Sequence, residues 1–116
     1  MADPTCIFCR IAAGEVPSEI LHQDEYVVAF RDITPKAPTH LLLISREHIG
    51  SAAELTDEQA PMLGRMFAVA AQLARDNGVA ESGFRLVTNS GAGAGQSVQH
   101  LHFHLLGGRP MRWPPG

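Results

Sequence analysis

The sequence predicts an α+β domain, with a mostly antiparallel sheet of about five strands carrying one long helix and one short helix. Three observations predict it. A sustained helical stripe of apolar residues occurs in one place, between Glu58 and Asn77. Several short apolar or β-branched runs are separated by turn-forming clusters. Near the end of the chain, residues 98–106 alternate between imidazole and apolar side chains, which is the period of a strand. The 116 residues form a single domain over 1–116, without repeat or linker, and residues 109–116 form an extended C-terminal arm.

In chain order, Thr5 to Ala13 reads as a short helix with Ile7, Phe8 and Ile11 on one face, ended by Gly14 and Pro17. Glu19 to His22 and Tyr26 to Phe30 read as a hairpin around Gln23-Asp24-Glu25. Asp32 to Thr39, with two prolines, is a loop. Leu41 to Ile44 is a continuous apolar run, expected as a central strand buried on both faces. Thr56-Asp57-Glu58-Gln59 matches a capping box, and Met62, Leu63, Met66, Phe67, Ala70 and Leu73 follow at helical spacing. Pro61 falls in the first turn, where a missing donor costs least, and Asn77-Gly78 is a stop. Phe84 to Asn89 and Val98 to Leu106 are strands flanking a glycine-rich loop, Ser90 to Gly95.

Composition narrows the function. A net charge of -3 with scattered Lys and Arg argues against nucleic-acid binding, which needs a clustered basic face. No apolar run approaches the roughly 20 residues of a membrane span. The N-terminal segment lacks the layout of a secretory signal, so a cytoplasmic location with reduced cysteines is expected.

Three of the six histidines are His100, His102 and His104. On one continuous strand they would share a face, about 6.6–6.8 Å apart per residue pair, with Leu101, Phe103 and Leu105 on the core side. Adjacent imidazoles lose hydration on burial and repel when charged, so a row of them is not built for stability. Gly91-Ala92-Gly93-Ala94-Gly95-Gln96-Ser97 leads into this run. Its glycines let backbone N–H groups approach an anion, and Ser97 adds a hydroxyl. The loop is neither a Walker A motif nor a dinucleotide fingerprint, since no Gly-Lys-Ser/Thr follows and Gln96 stands at the third glycine position.

Gln96-Ser97-Val98-Gln99-His100-Leu101-His102-Phe103-His104-Leu105-Leu106 resembles the His-x-His-x-His-x-x signature of the histidine triad superfamily. Pro38-Thr39-His40 and Trp113-Pro114-Pro115-Gly116 are similar to its Hint branch, the histidine triad nucleotide-binding proteins. The resemblance runs from Cys6-Ile7-Phe8 to the last residue. Two departures are Gln99, at a position often aromatic, and Arg112, where a histidine is common. It implies a purine nucleoside phosphoramidate hydrolase or nucleotidyl transferase, in which His102 attacks phosphorus to form a nucleotidyl-histidine. An AMP-like purine nucleotide is then the ligand, with no cofactor required for the chemistry.

The resemblance also implies residue roles. His104 donates to the phosphate or the leaving nitrogen, and His40 and His100 belong to the imidazole chain that orients His102. Ser97, Gln96, the Gly95 region and Asn89 face the phosphate. Asp32 hydrogen-bonds the ribose, as a carboxylate can to a diol. Ile7, Phe8, Ile11, Phe30 and Ile33 form a slot for the base, though plain core packing would account for each. Trp113 reaches the active site of a partner subunit.

Cys6-x-x-Cys9 can hold one tetrahedral metal, with His48 and His100 as the best partners for a structural zinc; two reduced, buried cysteines are the competing reading. If His100 holds zinc, it cannot also freely orient the other imidazoles. A zinc-dependent hydrolase using His100 and His102 as ligands, and a nucleotide-binding partner protein with incidental turnover, remain rival functions. A homodimer is expected because Val69 and Ala71 widen the apolar stripe of the long helix beyond one core-facing row.

Overall fold

The computed structural model describes residues 3–116. The elements are α1 (Ile7–Ala12), β1 (Ile20–Gln23), β2 (Val27–Arg31), β3 (Thr39–Ser45), α2 (Ala60–Asp76), β4 (Phe84–Val87) and β5 (His102–Gly107). The strands form one sheet in the order β1-β2-β3-β5-β4, and every neighbouring pair is antiparallel. Among the described residues, no helix is long and apolar enough to cross a membrane.

The buried run in β3 has a direct cause: the sheet is covered on both faces. Leu41 and Leu43 pack with Met66, Val69, Ala70 and Leu73 of α2 and with Leu101 and Leu105. Leu42 and Ile44 point the other way, into a second cluster with Phe8 and Ile11 of α1 and Val28 and Phe30 of β2. Full burial of a leucine contributes about 2 kcal/mol, and β3 is buried along its whole length. The long helix starts as expected, with the Thr56–Gln59 capping box present around a 3-10 turn at Asp57–Gln59. The hairpin is set by Asp24, whose Oδ1 accepts the N–H groups of Tyr26 and Val27 while its Oδ2 accepts from Arg65 of α2 at 2.8 Å. Burial pushes its carboxyl up, but the His22 ring, 2.7 Å from Oδ2, together with these bonds holds it well below the usual range.

Several expected boundaries move, β1 by one residue and β3 to take in Thr39 among them. Tyr26 lies before β2, and β4 ends at Val87, which leaves Asn89 in the following loop. The run 98–106 is not one strand: β5 begins only at His102. Before it, His100 N–H turns back to Val98 O, and Leu101 N–H bonds to Ile49 O rather than to a ladder neighbour. The backbone leaves the ladder there, yet the His100 ring stays on the α1 side with His102, the two lying 5.9 Å and 5.0 Å from the Phe8 ring. Val69 is 3% exposed within the core of its own chain, so it does not widen the stripe; Phe67, 54% exposed, is the outward apolar residue of α2.

Candidate active site

The α1 side of the sheet holds a cleft of about 380 Å³. Its walls are Ile7, Phe8 and Ile11 from α1, Phe30 from β2, Asp32 and Ile33 from the β2–β3 loop, Ser97 and Val98, and His102 and His104 from β5. The expected base-slot residues therefore do gather, with Ile33, 95% exposed, at the rim.

Hydrogen bonds fix the imidazole tautomers. A backbone carbonyl can only accept, so His102 Nδ1, 2.6 Å from His100 O, carries the proton. Nε2 of this buried, cleft-lining ring keeps its lone pair, and the Phe8 ring stands edge-on at 5.0 Å. His40 Nδ1 accepts the Lys36 N–H at 3.0 Å, which places the His40 proton on Nε2. That proton is directed at His104 Nδ1, 2.9 Å away, so His104 carries its own hydrogen on Nε2. The rings of His102 and His104 lie 5.2 Å apart. Burial, with the neighbouring His102 and His40, pushes His104 down to about 4, Asp32 opposing only in part. Burial likewise lowers His40. His40 and His104 are therefore neutral near neutral pH, and His104 offers its Nε2–H as a donor.

His100 does something else. Its Nε2–H donates to Ser45 O at 2.6 Å, which turns the Nδ1 lone pair toward Cys6 Sγ at 3.3 Å and Cys9 Sγ at 3.5 Å. His48 Nδ1 lies 3.2 Å from Cys9 Sγ, and all four ligand atoms fall within 4.8 Å of one another. In a tetrahedral zinc site, bond lengths of about 2.3 Å to sulfur and 2.1 Å to nitrogen set a sulfur–nitrogen edge of about 3.6 Å. The donor set and its spacing therefore fit zinc. The tension over His100 is resolved by division of labour, since its ring serves the cysteines and its carbonyl orients His102. For the same reason His100 and His102 do not converge on one metal.

The glycine-rich loop is held from inside. Gln96, only 8% exposed, accepts from Gly91 N–H and donates to Gly50 O and Val98 O. Its side chain staples the loop, and it lies outside the cleft lining. Gly95 adopts φ +88, donates its N–H to Ala92 O and also lies outside the cleft lining. Ser97 stands exposed in the cleft wall. Asn89 is half-buried and lies outside the cleft lining. Trp113, 83% exposed, is also absent from it, on an arm whose Arg112 carbonyl accepts from Arg85 of β4. Gln99 lines a shallower depression beside Cys6 and His48.

Sequence reasoning missed Ser45, whose carbonyl aims His100, and Thr88, whose hydroxyl donates to His102 O at 2.8 Å. A backbone carbonyl has no residue code, and a threonine hydroxyl beside a strand is common without any role in a site, so no sequence signal pointed to either.

Residues 5–112 match the family model described as "Scavenger mRNA decapping enzyme C-term binding". The chain is 49% identical over 111 residues to the purine nucleoside phosphoramidase of Escherichia coli strain K12, covering 96% of this chain and 92% of that one. Among solved structures, a HIT family hydrolase from Legionella pneumophila superposes with a TM-score of 0.94 at 47% identity, covering 97% and 100% of the two chains. A histidine triad nucleotide-binding protein from Candida albicans superposes with a TM-score of 0.81 at 31% identity, covering 95% and 83%.

Proposed function

Because this chain belongs to the histidine triad superfamily, we propose that it is a hydrolase of purine nucleoside 5′-phosphoramidates that uses His102 as its nucleophile. The observation that carries the reading is the His102 ring, pinned through Nδ1 to the His100 carbonyl and lining the cleft with its Nε2 lone pair free. The similarity to the Escherichia coli purine nucleoside phosphoramidase supports the substrate class.

The reaction splits into two displacements. The His102 Nε2 lone pair attacks the α-phosphorus, the phosphorus–nitrogen bond of the substrate breaks, and the nitrogen takes up a proton from solvent and leaves as an amine, a proton the water of the second step later returns. Water then attacks the nucleotidyl-histidine, the bond from phosphorus to His102 breaks, and nucleoside monophosphate departs. Over both steps, water supplies the hydroxyl gained by phosphorus and the proton carried away by the amine. His104 Nε2–H and the Ser97 hydroxyl donate to the phosphoryl oxygens as charge develops there. Asp32 meets the ribose, and Phe8, Ile11 and Phe30 enclose the base.

Zinc bound by Cys6, Cys9, His48 and His100 supplies a structural crosslink, outside the reaction path. The protein acts as a homodimer, for which the exposed Phe67 on α2 is the motive.

The test is His102→Ala. Turnover of an adenosine phosphoramidate falls to background while nucleotide affinity stays within a small factor. Mass spectrometry of wild-type protein quenched with a slow substrate finds the nucleotidyl adduct on His102. Near-normal turnover by the variant rules out the covalent route, and background turnover by the wild type, with nucleotide still bound, leaves a binding protein.

A further inference from the structure

The β2–β3 loop winds around His40. Asp32 N–H donates to His40 O at 3.0 Å, and the Asp32 side chain is divided between two tasks. Oδ1 accepts the Thr34 N–H at 2.8 Å, which closes a local turn and fixes the carboxylate. Oδ2 is left 3.4 Å from His40 Nε2, with only 17% of the Asp32 side chain and 4% of the His40 side chain exposed. His40 Nε2–H therefore lies between two acceptors, Asp32 Oδ2 and His104 Nδ1.

The geometry points to Asp32 as a positioning residue for catalysis, holding His40 with its proton on Nε2 and thereby His104 with its donor N–H toward the substrate. This role is separate from any contact with ribose, and only its kinetic arm rests on the proposed hydrolysis. A carboxylate at Oδ2 can only accept, so it favours a hydrogen on the nitrogen facing it. The Lys36 N–H requires a lone pair on the opposite nitrogen. Together they leave His40 one neutral form. His104 Nδ1 must then accept, and the His104 hydrogen must sit on Nε2. The remaining groups around the pair are Lys36 and Arg109 near His40, and His102 near His104. Asp32 is the one anion acting on both rings.

Asp32→Asn tests this sharply. The Thr34 N–H keeps the amide oxygen on its side, so the NH2 group faces His40 Nε2–H, donor against donor. An amide in place of the orienting carboxylate of a catalytic triad leaves the wrong tautomer in the same way. In resting protein labelled with ¹⁵N-histidine, long-range proton–nitrogen spectra show His104 in the Nε2–H form for the wild type and moved toward the Nδ1–H form for the variant. Turnover of a 2′,3′-dideoxyadenosine phosphoramidate, which has no diol to lose, falls in kcat by about tenfold or more. Either an unchanged His104 pattern or an unchanged kcat on the diol-free substrate overturns the assignment. If wild-type protein hydrolyses no phosphoramidate, the proposed function fails, and the resting-state spectra alone decide the role of Asp32.

Discussion

Burial lowers the proton affinity of His40, His100 and His104 alike, yet their surroundings send them to different work. For His104 the consequence can be followed through pH. Its folded-state value, near 4, lies below the ordinary 6.5. Between those limits the unfolded chain takes up a proton that the folded ring refuses, so stability rises with pH across the window. This contribution is complete above 6.5 and is lost as pH falls toward 4, with His40 and His100 adding in the same direction. The urea midpoint should therefore drop between pH about 7 and about 5, and His104→Gln should flatten that drop. Identical slopes for the two proteins would show that His104 does not carry the effect.

At the scale of elements, α1 is the instructive case. Six residues cannot sustain a helix alone. It is held by Phe8 and Ile11 against the sheet and by Cys6 and Cys9 beside His48 and His100. Because Phe8 is also a cleft wall, Cys9→Ser should abolish stoichiometric zinc and lower Tm by about 5 °C or more. It should raise KM more than it lowers kcat; metal analysis and steady-state kinetics check both, and retention of zinc would refute the ligand set. The same elements show what a sequence can reveal. The stripe of α2 and the unbroken apolar run of β3 were legible, because residue type itself writes their period. The start of β5 was not. The imidazole–apolar alternation continues through His100, while the bend there is made by bonds to Ile49 and to Ser45, distant in sequence. In the site, His40, His102, His104, Asp32 and Phe8 come together as their residue types and the family resemblance implied. Gln96 could not be read, since an amide that binds ligand and one that staples a loop are the same letter.

The whole molecule leaves β4 at one edge of the sheet and β1 at the other. On the α2 side, Phe67 packs edge-on against Phe103 at 5.6 Å while remaining half in solvent. A second copy laid over this region would remove that apolar surface from water. Light scattering should give twice the 12.5 kDa chain mass, and Phe67→Glu should return the mass of one chain, because a carboxylate there would be desolvated on pairing. A wild-type protein of single-chain mass would defeat the dimer. The split at His100 has an evolutionary corollary. Every amino acid brings a main-chain oxygen, whereas few bring a metal ligand. A replacement there that keeps a donor to Ser45 O, such as His100→Asn, would give up the proposed zinc ligand while retaining the oxygen that orients the nucleophile.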